Sequence, residues 1–172
     1  MTDEDKKAVN VTLIYAMEDD IDDELMKIIH DAHNKGIDFS FVNTAHVPMC
    51  AALIPDALLT ISCNMLNSIP IEIWYDLIKN IWKYFIGKII TKVYPDRHET
   101  VEMSFGINCK TKDSFIYATF PIDDTGITDK NEVVKDFFGY VKEHLDNKKC
   151  QYIHYEKTSS KWLDFNVKKK SK

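Results

Sequence analysis

The sequence predicts a single α/β domain with a mixed β-sheet, and an α+β arrangement is the alternative. Three observations support this fold class. The N-terminal apolar segments switch from strand to helix periodicity and back, as in a strand–helix–strand unit. Residues 70–93 read as a long helix with apolar side chains in nearly every direction, so it must be packed on more than one side. The second half contains two consecutive alternating segments, which are typical of an antiparallel hairpin.

The N-terminal third predicts a βαβ unit. Residues 9–16 alternate as a strand, and residues 19–35 carry apolar side chains at helical spacing. Gly36 supplies a left-handed stop, after which residues 37–42 alternate again as a strand. The short connections fit a right-handed crossover between parallel strands.

The central third predicts a buried strand that enters the long helix. Residues 43–56 contain two prolines and are expected to form a loop with one helical turn, followed by a strand at 57–63. Ser68 is the expected N-cap of the helix, and Pro70 occupies an early position that tolerates proline. Charged side chains interrupt the helix repeatedly, so we predict no membrane span.

The C-terminal half predicts a hairpin, a closing helix and a second hairpin. Residues 101–109 alternate strictly between apolar and polar, and residues 115–120 return with Phe115, Tyr117 and Thr119 on one face. Thr128 or Asp129 is expected to cap a helix that runs to about residue 147, and residues 151–167 resemble a hairpin turning at 158–160. The domain thus covers residues 9–167, between a flexible start (1–8) and a disordered basic tail (168–172).

Composition excludes several classes of function. The 172 residues are 45% apolar, which supports a substantial core. The net charge is −5 and Arg97 is the only arginine, so we expect no nucleic-acid partner. Four cysteines without a CxxC motif, and no apolar segment behind the charged N-terminus, indicate a cytoplasmic protein with reduced thiols.

Two groups of residues suggest metal chemistry, and each has a simpler interpretation. Asp19 and Asp20 belong to an acidic run after the first strand, where carboxylates can hold Mg²⁺ for phosphoryl chemistry. Such residues also cap helices and complement their dipole. His46 stands four positions before Cys50, a spacing that could share a zinc or form a thiolate–imidazole pair, but further ligands are missing locally. We therefore predict no metal site.

Binding residues are expected in three places. Asn64, Asn67 and Ser68 lie at the entrance of the long helix, where an anionic group is favoured. Arg97 could clamp an anion, although a single surface arginine is ordinary. Trp162 and Phe165 mark an apolar end where we expect a protein partner or self-association.

The layout resembles the small effector-associated domains of bacterial conflict and defence systems. The resemblance is carried by VNVTLIYAM, ALLTISCNMLNSIPIEIWYDLIKNIWKYF, TVEMSFGINCKTKDSFIYATFPI and NEVVKDFFGYVKEHL, and it covers about residues 9–147. Residues 43–56 and the final hairpin depart from it. It implies a non-catalytic adaptor or tethering role.

The sequence therefore favours a non-catalytic module over an enzyme. The leading function is a protein-interaction or small-ligand-binding module, within a prokaryotic or phage defence assembly and without a cofactor. The alternative is a small metal-dependent hydrolase or phosphotransfer enzyme, which would use Mg²⁺ at Asp19 and Asp20 with His46 nearby.

Overall fold

A computed structural model describes residues 9–15, 21–43, 57–62, 68–91, 105–111, 114–121, 125–144 and 150–164. Residues 44–56 of the predicted loop at 43–56, the charged start and the basic tail lie outside these residues, and Asn43 is the last residue of a strand. The chain forms a mixed seven-stranded sheet with three helices, which confirms the predicted α/β domain. The helices are α1 (Asp23–Asn34), α2 (Ile71–Thr91) and α3 (Lys130–His144). The strands are β1 (Val9–Tyr15), β2 (Ile37–Asn43), β3 (Ala57–Ser62), β4 (Phe105–Lys110), β5 (Phe115–Phe120), β6 (Gln151–Glu156) and β7 (Lys161–Asp164).

The strand order across the sheet is β2-β1-β3-β4-β5-β6-β7. Parallel pairs form between β1 and β2, β3 and β4, and β5 and β6, each across one helix. The remaining neighbours are antiparallel, including the predicted hairpins β4–β5 and β6–β7. The fold is therefore three strand–helix–strand units joined into one sheet, with β7 added at one edge.

All three helices lie on one face of the sheet, which we call the helix face. Phe120 on β5 contacts Trp82 of α2 and Phe137 of α3, with ring centroids 5.3 and 5.6 Å apart. Helix α1 packs on β2 and against α2. On β2, Ile37 is fully buried on the helix face, and its neighbour Asp38 is exposed on the other face. No described helix covers the other face, which we call the open face.

The three crossovers do not share one hand. β1 and β5 run in the same direction, yet β1 connects to β2 towards one edge and β5 connects to β6 towards the other. Because α1 and α3 lie on the same face, these two crossovers have opposite hands, and one of them is left-handed. Parallel crossovers are almost always right-handed, so a sheet that contains crossovers of both hands is unusual.

Helix α2 is buried almost all round, as its composition predicts. Over residues 71–88, the exposed positions form a narrow stripe at three- and four-residue spacing: Glu72, Asp76, Asn80, Lys83 and Gly87. Trp74 and Trp82 are fully buried, and the Trp82 indole donates a 2.9 Å hydrogen bond to the Pro121 carbonyl. Helix α2 therefore packs on the sheet and between the other two helices. None of the described helices has both the length and the apolar character needed to cross a membrane.

Side-chain caps set the starts of α1 and α3. Helix α1 begins at Asp23, later than the predicted residue 19, because the Asp22 carboxylate accepts a 3.0 Å hydrogen bond from the Leu25 amide. Gly36 follows with φ +83°, which confirms the predicted stop. Asp129, one of two expected caps, accepts hydrogen bonds from the Asn131 and Glu132 amides in the first turn of α3. Ser68 does not cap α2, because it lies three positions before Ile71.

Strand β5 buries the face opposite to the one that carries Phe115, Tyr117 and Thr119. Ile116, Ala118 and Phe120 are buried on the helix face. Phe115, Tyr117 and Thr119, which the sequence places together, share the open face and are only partly buried. Both faces of this strand carry large side chains, so its phase is not evident from alternation.

Replacing Asp22 with alanine should lower the free energy of unfolding by about 1 kcal/mol, because the helix loses its N-cap. Asp22 also pairs with Lys88 of α2. Burial raises the pKa of Asp22, but hydrogen bonds from Lys88 and the Leu25 amide outweigh it and hold the pKa below 3.8. The charge of Asp22 therefore stabilises the fold above its ordinary pKa, and this contribution disappears as the pH falls through the lowered value.

Asp22→Asn is the matched variant, since its side-chain oxygen can still cap α1 while the charge is removed. Urea unfolding at several pH values should show a wild-type advantage over Asp22→Asn at neutral pH that shrinks below about pH 4. A difference that grows on acidification would contradict this role of the carboxylate.

Candidate functional site

A continuous row of uncharged polar side chains crosses the open face. The strand register aligns one residue from each of six adjacent strands, and every one carries a hydroxyl or an amide. We call it the polar row: Ser40, Thr12, Thr60, Asn108, Tyr117 and Tyr152. Hydroxyls and amides both donate and accept hydrogen bonds, so the row offers both capacities without a net charge.

Three aromatic side chains form a cluster at the β5–β6 end of this row. The Tyr152 ring lies 5.6 Å from Phe115 at 86° and 5.8 Å from Tyr117 at 54°. Tyr152 is 56% exposed, and Leu163 on β7 is exposed on the same face. We call Phe115, Tyr117 and Tyr152 the aromatic patch. The Phe115 contact is edge-to-face and the Tyr117 contact is tilted, so the exposed Tyr152 has a ring neighbour on each side.

Gly106 makes room for the Tyr117 phenol. A Cβ atom at position 106 would lie 2.6 Å from the phenolic oxygen, so the ring leans across the glycine backbone on the neighbouring strand. Burial raises the pKa of Tyr117, against the lowering effect of a hydrogen bond with Thr119. The phenol therefore stays neutral at physiological pH and keeps its proton for donation.

The Asn108 amide stands between Thr60 and Tyr117 in the polar row. Its Oδ1 atom is buried and accepts no hydrogen bond within the described residues. A buried acceptor without a donor costs roughly 1–3 kcal/mol, so this side chain lowers the stability of the sheet locally.

Carboxylates and lysines lie away from the centre of the open face. Among the described strand residues, Asp38 is the second residue of β2, and Lys110 ends β4 opposite Phe115 of the aromatic patch. Glu156 and Lys161 face each other next to the β6–β7 turn. The polar row is thus uncharged, whereas the aromatic patch is bordered by the exposed Lys110.

Most residues singled out from the sequence lie outside the described part of the chain. This applies to Asp19, Asp20, His46, Asn64, Asn67, Arg97 and Phe165. Their convergence into a site therefore stays a prediction. The acidic run has one described function, since Asp22 caps α1 and pairs with Lys88. The described residues contain no group of three or more histidine, cysteine, aspartate or glutamate side chains placed to hold a metal ion.

Trp162 lies in the core and not on a partner surface. Its ring packs 4.9 Å from Phe120 and 5.3 Å from Phe137, and its Nε1 donates a 3.0 Å hydrogen bond to the Val133 carbonyl. The next residue, Leu163, is the one that β7 exposes on the open face. The expectation that Trp162 contacts a partner is therefore wrong, because this side chain is buried. Leu163 is exposed instead, since neighbouring strand residues point to opposite faces.

The N-terminus of α2 is surrounded by negative charge. Ser68 is exposed there, and an open groove runs between the N-terminal ends of α2 and α3. Its lining has four carboxylates and one lysine: Glu72, Tyr75, Asp76, Asp129, Asn131, Glu132 and Lys135. Glu72 also contributes to the raised pKa of Tyr75, although burial is the larger cause. This charge opposes the anionic ligand predicted near Ser68.

Sequence reasoning missed the polar row and Tyr152. The alternation over residues 115–120 was the available signal, because it grouped Phe115 with Tyr117. Tyr152 joins them only through the parallel pairing of β5 with β6. Comparison of the chain with protein-family models, with curated proteins and with solved structures gave no match.

Proposed function

We propose that this chain is a non-catalytic protein-interaction module that binds its partner through the open face, centred on the aromatic patch. The observation that carries the proposal is the exposed Tyr152, held between Phe115 and Tyr117 on a sheet face that no described helix covers. Tyrosine is enriched at the energetic centres of protein interfaces, because it buries a large ring and keeps a polar tip.

The shape and charge of the surface favour a protein over a small ligand. Small ligands occupy concave pockets that enclose most of their surface, whereas the open face is one side of a sheet. The polar row is uncharged, so a partner needs no compensating charge along it, and only Lys110 borders the aromatic patch among the described residues of β4 and β5. A role as an adaptor in a bacterial defence assembly is the setting that the sequence resemblance implies.

Tyr152→Ala should weaken partner binding by tenfold or more, since truncating a central interface tyrosine costs about 2 kcal/mol. The partner is identified first by placing a photo-crosslinking phenylalanine analogue at position 152 in the native host. Position 135 on α3, where Lys135 is exposed, is the control for the same analogue. Affinity for the captured protein is then measured by calorimetry for the wild type and for Tyr152→Ala.

Lys135→Ala is the matched control variant, and it should bind the partner like the wild type. Tyr152→Ala should keep the wild-type melting temperature to within a few degrees, because most of its ring is already exposed. Crosslinks from position 135 and none from position 152 would overturn the proposal. Adducts of small-molecule mass at position 152 would show that the open face binds a small ligand and not a protein, and would also overturn the proposal.

A further inference from the structure

Strand β2 is an outer edge of the sheet and has few of the usual protections. Within the described residues, no strand pairs with its outer side. It is seven residues long, contains no proline or lysine, and carries one charge, Asp38. Natural edge strands are normally short, charged, bulged or covered, because their unpaired backbone groups invite another strand. The opposite edge, β7, fits that rule with four residues that include Lys161 and Asp164.

Exposed apolar side chains gather at the same edge. Phe41 and Val42 are 43% and 49% exposed, although both belong to a strand. Met26 is also exposed, and it lies on α1, the helix that packs on β2. The other large apolar side chains that the described residues expose are Tyr152 and Leu163, on the open face of β6 and β7. The β2 edge is therefore a second apolar surface, separate from the aromatic patch.

The β2 sequence can pair with a second copy of itself in an antiparallel register that does not oppose like charges. If two copies of IDFSFVN pair around Ser40, all seven residues are matched. Phe39 of each copy then lies opposite Phe41 of the other on the helix face, and Asp38 lies opposite Val42 on the open face. The two Asp38 carboxylates are not opposite each other, so the register avoids a cross-strand pair of like charges.

This pairing also continues the features of the fold. A two-fold axis through Ser40, perpendicular to the sheet, keeps the helix layers of both copies on the same side. The two α1 helices become neighbours, which can cover Met26. The polar row ends at Ser40, so it would run on into the polar row of the second copy.

We propose that this chain forms a symmetric homodimer by antiparallel pairing of β2 with β2 of a second copy, in the register centred on Ser40. The interface is isologous, as in most homodimers, and joins the two seven-stranded sheets into one. It uses the β2 edge and leaves the aromatic patch free, so the dimer and the proposed partner site are independent.

Charge substitutions at position 42 test the register itself. Val42→Asp places a carboxylate opposite Asp38 of the other copy at two symmetric positions, and should raise the dimer dissociation constant on the order of tenfold. Val42→Lys removes the same apolar side chain but places an ammonium group opposite Asp38. It should remain dimeric, with a dissociation constant within a few-fold of the wild type. Sedimentation equilibrium of the full chain measures both.

A charge swap completes the test. Combining Asp38→Lys with Val42→Asp should restore the dimer, because each carboxylate at position 42 then lies opposite the ammonium group at position 38 of the other copy. Equal weakening by Val42→Asp and Val42→Lys would overturn the register, and a wild type that stays monomeric at about 100 μM would overturn the dimer. Circular dichroism melting checks that each variant folds. Each variant should fold, because the Val42 side chain is about half exposed. Binding of the partner per protomer should be unchanged in Val42→Asp, which separates this proposal from the proposed function.

Discussion

Phe120→Ala should lower the free energy of unfolding by about 3–5 kcal/mol, which is close to the whole stability of many domains. The Phe120 ring is almost fully buried where three elements meet, with Trp82 of α2, Phe137 of α3 and Trp162 of β7 within 5.6 Å. Truncation leaves a cavity between rigid aromatic neighbours that cannot collapse into it. Urea unfolding followed by tryptophan fluorescence measures the loss, and a fully unfolded variant agrees with the upper end of the range.

Phe115→Ala is the matched control on the same strand. Phe115 lies on the open face, is only partly buried, and has Tyr152 as its ring neighbour. Its truncation should cost about 1 kcal/mol or less, so the two phenylalanines of β5 should differ several-fold. Similar losses for both, or a larger loss for Phe115→Ala, would show that β5 buries the other face.

This pair of variants concerns the feature that sequence patterns leave open, namely the phase of a strand. Alternation predicts β4 correctly, since Ile107 and Cys109 are buried and Lys110 is exposed. It is ambiguous for β5, where both faces carry apolar or aromatic side chains. It is uninformative for the four-residue β7, where the sequence points to Trp162 and the structure exposes Leu163. A shift of one residue exchanges core and surface, so a small error in phase displaces the whole candidate site.

Local signals predict the helices and turns better, because their causes are local. Gly36 stops α1 through its positive φ, and Asp129 caps α3 through its own carboxylate. Apolar side chains at helical spacing in α3 are buried, among them Val134, Phe137 and Val141. Each of these features depends on residues within four positions along the chain, so no knowledge of the sheet is needed.

The candidate site depends on distant residues and on strand order. The polar row joins six positions between residues 12 and 152, and no two of them are neighbours in the sequence. Their alignment requires the order β2-β1-β3-β4-β5-β6 and a fixed register at each pair. The change of hand between crossovers places all three helices on one face and leaves the row uncovered by any described helix. Periodicity within single strands carries no information about these choices.

Trp162→Ala should cost about 3–5 kcal/mol in the free energy of unfolding, because a large buried side chain and its hydrogen bond are both lost. The indole contacts Phe120, Phe137 and Tyr155, and its Nε1 bonds to the Val133 carbonyl. It therefore fixes the terminal hairpin to α3. Any loss of partner binding in this variant would follow from unfolding of β6 and β7, which carry Tyr152 and Leu163. The measurement is the amplitude and midpoint of thermal unfolding, recorded beside partner affinity below the midpoint.

Trp162→Phe separates the packing of the ring from its hydrogen bond. It keeps an aromatic ring beside Phe120 and removes the donor to Val133, so the expected cost is about 1–2 kcal/mol. This variant should stay folded at room temperature and bind the partner with wild-type affinity, whereas Tyr152→Ala stays folded and loses binding. The opposite pattern, with weakened binding by folded Trp162→Phe and unchanged binding by Tyr152→Ala, would move the interaction surface from the open face to the region around Trp162. The two variants together decide whether the partner binds the open face, where Tyr152 lies, or the region around Trp162 on the helix face.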